Sequence, residues 1–198
     1  MRQHIIAALA VLSFLPSAAL SQASECPSRA TAQSGKVGII TSDGVLTMHR
    51  AVSDQLVEQY SMSQDLQTAY EKRELLQGYI PLAVINGSRN ERLLLAATSL
   101  PDLTASEPWQ ADFVRETNGN DAASSQGKLM VLAIDDVKSF NFAGCDIAYQ
   151  SVLVAQGDGK TVFQEQIIYF PALGISVLEA AFAGDEKLFA REVMGFKF

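Results

Sequence analysis

Residues 147–170, IAYQSVLVAQGDGKTVFQEQIIYF, constrain the fold more than any other stretch. Two apolar runs, IAYQSVLVAQ and TVFQEQIIYF, are separated only by the turn GDGK. Strands joined by so tight a turn pair antiparallel, because parallel neighbours need a long crossover connection. PALG then turns the chain into ISVLEAAF, and KLMVLAI precedes the pair, so the C-terminal third reads as strands of one antiparallel sheet. Upstream, YIPLAVI and ERLLLAATSL flank the turn-rich NGSRN and read as a further hairpin. KVGIITSDGVLTM places two short apolar runs around Asp43-Gly44, which fits either a hairpin or a strand running into a helix.

Between these strands the spacing turns helical. Val52, Leu56 and Tyr60 stand four apart from Met48 onward. Ser61 or Ser63 caps a second helix, SQDLQTAYEKRELLQG, with Asp65 in its first turn and Gly78 at its stop. Leu66, Ala69, Tyr70 and Leu76 would face inward. SEPWQADFVRETNG predicts a third helix: Ser106 as N-cap, Pro108 in the first turn, Gly119 as stop, and Trp109 and Phe113 on the buried face. AGDEKLFAREVMGFKF predicts a short last helix with Leu188, Phe189 and Val193 inward. The expected fold is a single α+β domain over residues 37–198, an antiparallel sheet covered by helices.

The first residues carry the three parts of a secretory signal: Arg2, the apolar run Ile5–Leu15, and small residues ending at Ala23. Cleavage is expected after Ala23, with Ala19 as the alternative, and residues 24–36 form a small, polar, flexible lead-in. The apolar run is too short to span a bilayer. Glu25 precedes Cys26 and Ala23 stands where a lipid-attachment signal wants a leucine-like residue, which argues against a lipoprotein. Without the signal the chain keeps 14 basic against 22 acidic residues, a net charge of −8 that repels nucleic acid and anionic lipid. Lys72-Arg73, between Glu71 and Glu74, reads as a solvated helix face. Both cysteines outlast signal removal. In an oxidising compartment an even count favours a Cys26–Cys145 disulfide. The alternative is two thiols, Cys145 in the core and Cys26 on a frayed end.

The Asp158-Gly159-Lys160 hairpin, the strand pair after it, the GDEKLF turn into the last helix and the terminal Phe-Lys-Phe are features in which residues 80–198 resemble the photosystem PsbP proteins and their bacterial relatives. The resemblance implies accessory, binding or assembly roles without catalysis. Residues 37–79, if helical, depart from it, because that fold begins with strands.

Reactive chemistry is sparse. His49 is the one histidine after the signal, which excludes a two-histidine zinc site, and no GxSxG elbow accompanies it. A Cys145–His49 dyad would need a reduced thiol. Ser125–Lys128 matches SxxK formally, but Gly127 and the loop composition deny it a helix, and Val162 denies Lys160-Thr161 the companion KTG. GDGKT joins two strands, whereas a phosphate loop opens a helix, and GDG lacks the spacing of a calcium loop. Asp135 and Asp136 are adjacent on a strand and point to opposite faces. Asn86-Gly87-Ser88 is a glycosylation sequon.

Trp109, Tyr149, Phe163 and Tyr169, with Phe170, offer a groove between sheet and helix, although aromatic residues more commonly form the core. The sequence thus predicts a periplasmic or secreted, non-enzymatic accessory or binding protein of the bacterial cell envelope. No catalytic, metal or cofactor site is expected. Its partner would be an envelope protein or a small apolar ligand. The alternatives are a periplasmic hydrolase with a nonstandard site and a structural subunit of an envelope complex.

Overall fold

The structure, a computed structural model, describes residues 26–63, 70–87, 89–105, 107–118, 123–158 and 162–197. The expected signal, the Ser106 cap, Leu66, Ala69 and the Gly159-Lys160 turn lie outside the described residues, as does Ser88 of the sequon. The described residues contain one four-residue helix, α1 (Arg29–Ala32), and fourteen strands. These are β1 (Ser34–Thr41), β2 (Val45–Ala51), β3 (Leu56–Ser63), β4 (Glu71–Leu76), β5 (Ile80–Asn86), β6 (Arg89–Ala96), β7 (Trp109–Asn118), β8 (Ala123–Ala133), β9 (Lys138–Phe142), β10 (Cys145–Gly157), β11 (Val162–Phe170), β12 (Ile175–Ala183), β13 (Glu186–Ala190) and β14 (Val193–Lys197).

All pairings are antiparallel, in the order β13-β12-β11-β10-β8-β7-β6-β5-β4-β3-β2-β1-β14. The first half of β10 pairs with β9 and the second half with β8. The two ends of this order are neighbours in the chain, since only Arg191 and Glu192 separate β13 from β14. There the edges meet. Arg191 N–H donates to the Glu179 carbonyl of β12 (2.7 Å), and Ser42 N–H, just past β1, donates to the Glu192 carbonyl (2.9 Å). The sheet therefore returns on itself, and inward side chains from distant strands face each other.

Two apolar clusters fill part of the interior. One gathers Ile39, Cys145, Phe170, Ile175 and Phe196. The other gathers Tyr79, Ile80, Phe113, Leu129, Val152, Val154 and Tyr169. Large side chains of this kind each contribute roughly 1.5–3 kcal/mol on burial.

This architecture overturns the α+β reading and the PsbP-like resemblance, because no helix among the described residues covers the sheet. Residues 48–60, expected as a helix, form β2, a tight connection and the start of β3. Residues 71–76 and 109–118 are strands β4 and β7, and the expected last helix is β13 and β14. Trp109 and Phe113 do share a buried face. A spacing of four returns to the same face in a strand as well as, nearly, in a helix. The hairpin at Asp43-Gly44 is β1–β2, with Gly44 at φ +76°.

The 24–36 lead-in is built into the fold in its described part. Ser28 caps α1 through a capping box with Thr31, and Ala32 is buried. Arg29 Nη2 donates to the Pro171 carbonyl (2.9 Å) and Gln33 Nε2 to the Gly174 carbonyl (2.7 Å). Cys26 and Cys145 form a disulfide, with Cα atoms 5.5 Å apart.

Candidate functional site

β3 and β4 turn polar side chains inward. On β3, Val57, Gln59 and Ser61 are buried, and on β4 Arg73 and Leu75. Across from them, β11 buries Glu165 ahead of the buried apolar residues Ile167–Phe170. A charge held there needs a partner, since burial of an unpaired carboxylate costs several kcal/mol, order of magnitude. Arg73 supplies it. Its Nη2 donates to Glu165 Oε1 at 2.6 Å, and its Nε donates to Glu71 Oε1 at 2.9 Å. The Arg73 and Glu165 side chains are 9% and 3% exposed, so this is an interior ion pair joining opposite walls. Burial works against the Arg73 charge. The carboxylates of Glu165 and Glu71 outweigh it and hold the guanidinium pKa above its usual range.

Two cavities adjoin this pair, and Arg73, Phe163 and Glu165 line both. The first, about 320 Å³, is also bordered by Pro81, Glu91, Arg115 and Gln156. Arg115 Nη2 donates to Gln156 Oε1 there (2.8 Å). The second, about 340 Å³, is bordered by Thr47, Gln59, Ser61, Tyr70, Glu71 and Phe189, with Arg191 at its side. The Arg191 guanidinium lies 4.6 Å over the Phe189 ring, and its Nε is 3.5 Å from Asp43 Oδ2.

Beyond Gln59 lies His49, on β2 and wholly buried. Gln59 Nε2 donates to the Ser176 carbonyl (2.8 Å) and stands 3.1 Å from His49 Nε2. Burial lowers the His49 pKa to about 4, against a smaller opposing effect of the Ser176 backbone. The imidazole is neutral at physiological pH, and its place in the core keeps it from solvent.

The aromatic residues singled out in the sequence are spread over the interior. Tyr169 and Trp109 belong to one apolar cluster, where Tyr169 packs 4.6 Å from Tyr79 and Trp109 sits at the margin. Tyr149 packs against the other cluster beside Phe170. Phe163 alone of the four borders the two cavities. Sequence reading missed Arg73, Glu165, Gln59 and Arg115. The available signal was Glu165 itself, a lone charge in the middle of TVFQEQIIYF. The other was EKRELL, which read as a strand puts Glu71, Arg73 and Leu75 on one face.

Fold and site together define a class: a closed antiparallel β-sheet with a charged, hydrogen-bonded pair between two cavities. No family model and no curated protein sequence matches the chain. Among solved structures, the chain is similar to the hypothetical lipoprotein YmcC from Escherichia coli (K12). The identity is 12%, the match covers 73% of this chain and 76% of that chain, and the TM-score is 0.42. In the present chain the sulfur of Cys26 is committed to the disulfide, which leaves no thiol there for a lipid. That bridge marks an exported or envelope protein. No helix among the described residues is long and apolar enough to cross a membrane.

Proposed function

We propose that the chain is a non-enzymatic accessory or binding protein of the bacterial cell envelope that holds a small molecule inside its closed sheet. The observation that carries this reading is the pair of cavities, about 320 and 340 Å³, that share the buried Arg73–Glu165 bridge. Concave sites lined by apolar residues and a few convergent polar groups are the usual form of a ligand site. The non-enzymatic part is supported by His49, which lies buried beside Gln59 and borders neither cavity. The bordering charges argue for a ligand with polar groups, in place of the purely apolar ligand expected from the aromatic residues.

Mass spectrometry of the protein purified from its own host tests this. Native spectra should show a small added mass that disappears on denaturation. Repeated gentle preparations that yield only the bare chain would overturn the binding reading and leave a structural role in an envelope complex.

A further inference from the structure

We propose that the cavity bordered by Gln59, Ser61, Glu71, Arg73, Phe163 and Glu165 binds a small organic amine in its protonated form, the ammonium donating to Glu165. The proposal rests on the small-molecule reading above and names the ligand's class.

Arg73 lies between two carboxylates, Glu71 and Glu165, so the cluster carries one uncompensated negative charge. Arg191 also borders the cavity; it forms an ion pair with Asp43 at 3.5 Å, and its buried Nε has no hydrogen-bond partner. A monovalent cation beside Glu165 balances the Glu71–Arg73–Glu165 cluster.

Glu165 Oε1 accepts from Arg73, while Glu165 Oε2 is buried and has no hydrogen-bond partner. A buried acceptor left unfilled is costly, and a charged donor meets it best. An ammonium group offers such a donor.

Phe163, Phe189 and Tyr70 border the same space, and aromatic faces attract cations while accepting an alkyl chain. A divalent metal fits poorly. It would need about six oxygens, and both carboxylates already spend an oxygen on Arg73.

Titration calorimetry at neutral pH with n-butylamine, butyrate and 1-butanol tests the proposal, since the three share a chain and differ in head group. Butylammonium should bind, and the anion and alcohol should bind more weakly by roughly tenfold or more. Glu165→Gln keeps an oxygen for Arg73 but removes the charge, and should weaken butylammonium by roughly the same factor. Glu71→Gln, at the less buried end of the cluster, neutralises the same excess charge and should act in the same direction if the first variant folds poorly. No binding of butylammonium, equal binding of butyrate or butanol, or unchanged affinity in both variants would overturn the proposal. A neutral or anionic molecule retained in native spectra would sink the amine while leaving the binding reading intact. A bare chain that also ignores all three probes would sink both.

Discussion

The His49 ring is enclosed on β2 opposite Gln59 of β3, and protonating it would turn Nε2 into a donor facing a donor amide. With a folded pKa of about 4, lowered by burial, against about 6.5 in the unfolded chain, the unfolded state takes up the proton first. Stability is therefore fully present above the unfolded value and drains away as pH falls towards the folded one. The total is about 3 kcal/mol. The Glu58 pKa is lowered chiefly by its hydrogen bond from Lys72. Urea unfolding should show wild-type stability dropping between neutral pH and the folded pKa. A His49→Gln variant should be markedly flatter over the same range. Parallel profiles for the two proteins would mean that the ring is not what senses acid.

At the scale of elements, what could be read from the sequence depended on which side of a strand was apolar. β10 and β11 were legible because both carry long apolar runs and a turn joins them. β3 and β4 were not. Their inward positions include Gln59, Ser61 and Arg73, while Leu56, Tyr60 and Met62 are only partly buried. A polar interior inverts the alternation that normally identifies a strand, and charges such as Lys72-Arg73 then read as a solvated helix face. The candidate site hid for the same reason, since its residues look like surface until the opposite wall is known. Turns hold these elements against one another. In the β4–β5 turn Gly78 has φ +80°, and an added Cβ would stand 2.3 Å from the Gly174 carbonyl oxygen. Ser176 Oγ in turn donates to the Gly78 carbonyl at 2.6 Å. Gly44 shares the left-handed conformation at φ +76° but faces open space. Gly44→Ala should cost about 1–2 kcal/mol, the conformational term alone. Gly78→Ala should cost more, roughly 2–4 kcal/mol, because two turns must also separate. Denaturant midpoints of the two variants make the comparison, and equal losses would show that the contact between the turns is soft.

For the whole molecule, the disulfide ties Cys26 to Cys145 across a sequence separation of 119 residues. The chain-entropy account values a loop of that length at about 4–5 kcal/mol. Replacing both cysteines by serine should lower the unfolding midpoint substantially, and reductant should do the same to the wild type but not to the double variant. An unchanged midpoint would mean that Arg29 and Gln33 secure the N-terminal segment without covalent help. The closure of the sheet carries a different kind of consequence. β1 emerges early, yet one of its two neighbours is β14, the last strand to be made. Until then the growing sheet has two unsatisfied edges, each a template for pairing with another chain. Contacts this far apart in sequence also form slowly. A chain crossing a membrane from its N-terminus would expose those edges for the whole passage. It could pair β1 with β14 only after residues 193–197 had arrived, so the riskiest stage of its passage is a late one.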